Sequence, residues 1–133
     1  MALPRLRSIV LDTTDVPRLA EFYRRLLGWS YPEGYDIDEL TDWRVIVGPS
    51  GERIAFQEVA ELPPTTWPSP EVPQQLHLDL MADTRADLEE NHRRAVELGA
   101  AVRLDRSDDP EEPLRVYADP AGHTFCLFTH DVD

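Results

Sequence analysis

His77 and Asp79 stand two residues apart in the stretch Gln75–Met81, QLHLDLM. Leu76, Leu78 and Leu80 alternate there with Gln75, His77 and Asp79, and Met81 breaks the pattern. Successive strand side chains point to opposite faces, so the leucines are expected to face a core and the imidazole and carboxylate to share the other side. Roughly 6–7 Å apart along a strand, an aspartate can bias a histidine toward general-base work, or the two can orient a ligand through hydrogen bonds. The one cysteine, Cys126, lies in a second alternating stretch, Thr124–Thr129. Phe125 and Leu127 share one face of it, and Thr124, Cys126 and Phe128 the other. A thiolate there would be a nucleophile, whereas a thiol buried in apolar surroundings is inert.

The elements that must position these groups follow from periodicity. Leu6–Asp12 reads as a strand, with Ile9 and Leu11 on one face and Ser8, Val10 and Asp12 on the other. Thr14 or Asp15 can cap a helix with Pro17 in its first turn. Leu19, Phe22, Tyr23, Leu26 and Leu27 form its apolar stripe, and Gly28 stops it. Trp29–Tyr31 is expected as a short strand and the acidic stretch Pro32–Asp42 as a mobile loop. Trp43–Val47 and Arg53–Val59 are strands around the turn Gly48-Pro49-Ser50-Gly51. In the second of them Ile54 and Phe56 oppose Ala55 and Gln57. Glu61–Pro73 holds Pro63, Pro64, Pro68, Pro70 and Pro73, so it reads as a linker, with Trp67 as a packing anchor. After Gln75–Met81, Asp83 or Thr84 caps a second helix. Leu88, His92, Ala95 and Leu98 line its inner side, and Gly99 ends it. Strands Ala100–Leu104, Leu114–Ala118 and Thr124–Thr129 follow, with an acidic loop Arg106–Pro113 and the turn Asp119-Pro120-Ala121-Gly122 between them.

The 133 residues, 41% hydrophobic and 29% charged, suit one domain or two small halves sharing a core. Thirteen basic against 26 acidic residues give −13, which argues against nucleic acid, whose phosphates need a basic footprint. The same field suits a cationic ligand. A single cysteine permits no intrachain disulfide and fits a reducing compartment. With no apolar leader and no run of ~20 apolar residues, a cytoplasmic protein with no membrane association is expected.

The chain repeats itself. Gly28 and Gly99 end the helices, Pro49 and Pro120 enter the turns, Gly51 and Gly122 close them, and all three pairs share one offset. Ser8 and His77 open the first strands at an offset shorter by two residues. Each half reads β-α-β-β-β, so the fold class is α+β, two tandem βαβββ modules spanning 5–60 and 74–130, joined by linker 61–73. The segments Glu21-Phe22-Tyr23-x-x-Leu26-Leu27-Gly28-Trp29, His77-Leu78-Asp79-Leu80, Glu97-Leu98-Gly99-Ala100 and Asp119-Pro120-Ala121-Gly122-His123-x-Phe125-Cys126-Leu127 carry a resemblance. The chain resembles the vicinal oxygen chelate superfamily of glyoxalase I, bleomycin-resistance proteins and extradiol dioxygenases, and above all its small glyoxalase-like domains.

That resemblance implies curved mixed sheets forming a cleft, and a homodimer. It places metal ligands on the first and last strand of each module, here Ser8, Ala55, His77 and Cys126. Only His77 is a usual ligand type; Ala55 has no donor and Ser8 is a poor one. His77 with Cys126 falls two short of a zinc tetrahedron even if Gln57 helps, so no metal or other cofactor is expected. The implied pairing of first and last strands makes His77 and Cys126 cross-strand partners, roughly 4.5–5.5 Å between Cβ atoms. The pair is then an activated thiol, or an inert one beside a hydrogen-bonded histidine. A small-molecule pocket is expected from Ser8, Asp12, Gln57, Gln75, His77, Asp79, Thr124 and Cys126, walled by Val10, Trp43, Tyr117 and Phe128. Metal-independent binding of a cationic antibiotic or metabolite is the first functional expectation. A lyase or isomerase using His77 with Asp79 or Cys126, with or without a divalent metal, is the alternative. An interaction module that kept the fold and lost the site is the third.

Overall fold

Both helices begin and end where side-chain chemistry satisfies their orphan backbone groups. Asp15 accepts from the Arg18 amide at 3.2 Å to start α1 (Val16–Leu27), and Thr84 accepts from Asp87 at 3.0 Å to start α2 (Arg85–Leu98). Gly28 and Gly99 close them with φ of 70° and 117°, a left-handed geometry that costs glycine nothing. The computed structural model describes residues 2–132. Its strands are β1 (Ile9–Thr13), β2 (Trp43–Val47), β3 (Arg53–Glu58), β4 (His77–Ala82), β5 (Ala101–Arg106), β6 (Leu114–Ala118) and β7 (Thr124–Thr129). Among the described residues no helix is long and apolar enough to cross a membrane.

The chain divides into two compact units, Met1–Leu62 and Pro63–Asp133. The first holds a three-stranded sheet in the order β1-β3-β2, the second a four-stranded sheet in the order β4-β7-β6-β5. In each, the first and last strands pair in parallel and the last two form an antiparallel hairpin. The second unit is thus a full βαβββ module and the first follows the same plan with one strand reduced to a bridge, the sheets left open. The expected strand at Trp29–Tyr31 shrinks to one bridge, in which Ser30 and Val47 exchange both backbone hydrogen bonds. Pro32, which has no N–H to donate, follows within two residues.

In the first unit α1 packs on β2 and β3, burying Val16, Leu19, Phe22, Tyr23 and Leu26 against Leu11, Ile46, Ile54 and Phe56. Tyr23 lies 6.1 Å from Phe56 in a stacked pair. In the second unit α2 buries only Leu88 and Ala95. Polar contacts add to these: His92 Nδ1 meets the Tyr117 hydroxyl at 2.7 Å, and Glu89 meets Arg115 at 3.0 Å. Leu76, expected in the core, is 46% exposed because β4 begins one residue later.

Arg44 and Arg115 occupy equivalent positions of the two units and are both buried, at 7% and 6% exposure. Arg115 takes the ion pairs, with Glu89 and Asp105. Arg44 instead donates to the carbonyls of Leu40 and Ile37 at 2.8 and 2.7 Å and to the Tyr31 hydroxyl at 3.0 Å. It thereby ties down the acidic loop that the sequence presents as mobile. The proline-rich segment is not a free connector either. Thr66 and Val72 bond across it, and a Cβ at Gly122 would lie 2.4 Å from Pro64 Cβ.

Glu21 anchors the Arg44 cluster from α1, bonding Arg24 and Tyr31, each at 2.6 Å. The Arg24 hydrogen bond, helped by Tyr31 and opposed by burial, holds the Glu21 carboxyl at about 2. A depressed folded pKa contributes stability above the unfolded value that is lost as pH falls through the folded one. Glu21→Gln is therefore expected to lower Tm most above about pH 5, with the deficit vanishing toward pH 2. Thermal melts of both proteins across that window check it.

Candidate functional site

The period of β4 and its pairing with β7 decide which chemistry-bearing side chains meet. In β4, Leu78 and Leu80 are half-buried and Ala82 is buried on the side of α2, leaving His77, Asp79 and Met81 on the helix-free face. The parallel register sets His77 opposite Thr124, Asp79 opposite Cys126 and Met81 opposite Phe128. The β7–β6 hairpin extends these rows to Ala118, Val116 and Leu114. The helix-free face of this sheet thus carries a polar corner, His77, Asp79 and Cys126, beside an apolar one of Met81, Phe128 and Leu114.

His77 and Cys126 are accordingly diagonal neighbours, not the direct partners the sequence suggested. The residue across from the thiol is Asp79. A stagger of two residues keeps every side chain on its expected face while changing its partner, so alternation alone cannot detect it. His77 Nε2 lies 3.3 Å from Asp79 Oδ1. One donor atom from each of His77, Asp79 and Cys126 lies within 4.8 Å of the other two. Where the sequence offered two ligands on this face, the structure brings three together. No lysine or arginine among the described residues pairs with Asp79.

The thiol's surroundings bear on the nucleophile expectation. Burial first, then the negative charge of Asp79, then the thiol's own hydrogen bond to that carboxylate push Cys126 up to about 11. At neutral pH the sulfur is protonated and donates to Asp79, the opposite of an activated cysteine.

The other expected site residues fall into place differently. In the first unit Asp12, Gln57 and Trp43 line up as one row across β1, β3 and β2, as alternation required. Val10, Ala55 and Val45 form the next row; Ala55 is fully buried, and its methyl offers no ligand atom. Ser8 and Gln75 lie outside the strands. Thr124 is on the expected face but buried. Tyr117, expected in a pocket wall, is fully buried on the helix side, stacked 4.9 Å from Phe125 and bonded to His92. Tyr117 shares its face of β6 with Arg115, whose ion pairs with Glu89 and Asp105 lie on the helix side as well.

Two shallow cavities lie away from the donor cluster. One of about 580 Å³ is lined by Trp29, Tyr31, Pro32 and Val47; the other, of about 500 Å³, by Met81, Thr84, His130 and Asp131. The chemistry is concentrated on the sheet and not in these hollows. Among the groups the sequence underrated is Asp131, which accepts from the Arg85 amide at 2.9 Å and so fixes the start of α2.

The model of a glyoxalase-like domain family matches residues 8–128. No curated protein matches the chain significantly. Among solved structures, a glyoxalase/bleomycin resistance protein/dioxygenase family enzyme from Burkholderia phytofirmans is similar, at 15% identity and a TM-score of 0.70 over 93% of this chain and 97% of that one. A hypothetical protein from S. aureus aligns at 16% identity and a TM-score of 0.72, covering 96% and 95%. The fosfomycin resistance protein FosX from Mesorhizobium loti aligns at 16% and 0.69, covering 96% and 93%. At these identities the likeness is one of fold.

The thiol's environment gives a direct check. Alkylation of Cys126 near neutral pH should be slower than in the denatured chain, with a pH–rate midpoint near 11 that Asp79→Asn lowers. Labelling as fast as in the denatured chain would restore the nucleophile.

Proposed function

The chain belongs to the glyoxalase-like domain family, and we propose that it uses this fold to bind a small organic cation on the helix-free face of β4, β7 and β6, without a metal. The observation that carries this reading is Asp79: an exposed carboxylate that meets His77 but, among the described residues, no lysine or arginine, set beside Met81, 59% exposed, and half-buried Phe128 and Leu114. An apolar wall with one or two placed polar groups is the composition of a small-molecule site. The net charge of −13 raises the local concentration of cations. Asp79 supplies the anionic anchor, His77 a hydrogen bond that fixes orientation, and Met81 an adaptable apolar surface. The row of Asp12, Gln57 and Trp43 offers a carboxylate, an amide and an aromatic ring of the same type in the other unit. Fosfomycin resistance proteins among the fold neighbours give a precedent for an antibiotic on this architecture.

The 3.3 Å approach of His77 to Asp79 favours a second reading, a lyase or isomerase. Asp79 would hold the imidazole with its proton on Nε2, leaving Nδ1 to take a proton from a carbon acid. Cys126, protonated and donating to Asp79, is left out of this chemistry.

Calorimetry and thermal shift with a panel of organic cations, in the presence of EDTA, separate the readings. Binding is expected to saturate, to stabilise by about 2.7 kcal/mol at a hundredfold excess over Kd, and to be lost in Asp79→Asn. A panel with no binder, or binding unchanged in Asp79→Asn, would overturn the proposal.

A further inference from the structure

We propose that His77, Asp79 and Cys126 also form a site for one soft divalent cation, of the zinc or cobalt type, built within a single unit. Zinc bonds of ~2.0–2.3 Å to nitrogen, oxygen and sulfur place the donors of a tetrahedral site about 3.4–3.7 Å apart. The three donor atoms already lie within 4.8 Å of one another, so closing on an ion needs only small side-chain rotations. His77 and Asp79 are exposed and free to make them, while Cys126 is half-buried in the sheet and sets the position.

The donor set fits its ion by charge and by softness. A thiolate and an imidazole select zinc or cobalt over magnesium, calcium or manganese. One thiolate and one carboxylate neutralise the two positive charges. Without metal, Cys126 is a thiol across the strand pair from the Asp79 carboxylate. On binding, the S–H bond breaks, its proton leaves to solvent, and a sulfur–metal bond forms. No oxidation or reduction is involved. Three protein ligands leave a fourth position for water or a ligand atom, the pattern of a reactive zinc site and not of a closed structural one.

This site differs from the one that the superfamily resemblance implies. That pattern calls on Ser8 and Ala55 of the other unit, and an alanine side chain cannot coordinate. Asp79 lies outside that pattern and makes the third ligand through its register with Cys126. The metal site stands without the organic-cation reading. One consequence does rest on that reading: Asp79 cannot hold both, so the divalent ion and the organic cation exclude each other.

The test is cobalt(II) titration of the full chain after chelator treatment, with no organic ligand present. Expected are one equivalent bound, a thiolate-to-cobalt charge-transfer band in the near ultraviolet, and visible bands of four-coordinate intensity. Cys126→Ser should abolish the charge-transfer band. Asp79→Asn and His77→Ala should each weaken binding at least about tenfold, the scale on which losing even an outer-shell partner is felt. Circular dichroism of each variant checks that it is folded. Absence of the band, or a band indifferent to Asp79→Asn and His77→Ala, would overturn the site. Loss of organic-cation binding on zinc addition, restored by EDTA, is expected for the exclusion, and simultaneous binding would refute that consequence alone.

Discussion

Parallel pairing of β4 with β7 governs everything that the second unit can do. Strands that run the same way and lie ~4.8 Å apart bring residues of distant sequence position into rows, and each row holds one side chain from each strand. Because Asp79 is in register with Cys126, a carboxylate lies across from the only thiol, and the histidine two residues earlier leans onto the same carboxylate. Shift the register by two and the thiol would face the imidazole, with the reverse effect on its acidity. The site is thus a property of strand stagger, and α2, by covering the other face, leaves the side chains of His77, Asp79 and Met81 exposed.

The two units repeat a plan but not an economy of forces. In the first, α1 buries a broad aromatic and aliphatic stripe, and its buried arginine satisfies backbone carbonyls. In the second, α2 contributes only Leu88 and Ala95 to the interior and relies on Glu89 and His92 to meet Arg115 and Tyr117. Burial raises the Tyr117 hydroxyl well above its usual range and lowers His92, so both stay neutral around that hydrogen bond. A buried donor whose partner is removed carries the cost of an unmet hydrogen bond, so the helix of the second unit depends on its polar contacts as the first depends on its rings.

Local period carried most of the architecture. The caps at Asp15 and Thr84, the stops at Gly28 and Gly99, the strand faces of β1, β3, β4 and β7, and the repeat itself are all short-range signals, written within a few residues. What failed was long-range or unmarked. The stagger of β4 against β7 spans more than forty residues of chain and leaves no trace in either strand's alternation. Tyr117 shares its face of β6 with Arg115, an arginine buried by partners on α2 and β5 that lie far from it in sequence, so the polar mark on that face pointed inward and not to a pocket. Leu76 prolonged a real alternation past the point where the strand begins. The burial of Arg44 carries no mark in the sequence, since two of its partners are backbone carbonyls, which every sequence contains. The shared face of His77, Asp79 and Cys126 was therefore legible, while the partner that each meets across the strands was not.

The matching turns of the repeat illustrate how far duplicated segments drift in what they tolerate. Gly51 and Gly122 both hold a left-handed backbone, at φ of 87° and 94°. Around Gly51 no atom lies near an added Cβ, whereas at Gly122 Pro64 occupies that volume. Asparagine, which accepts such a φ, would fit the earlier hairpin and wedge the later one off its proline bracket. Two loops that look interchangeable on the page answer to different masters, one to torsion alone and the other to torsion and crowding together.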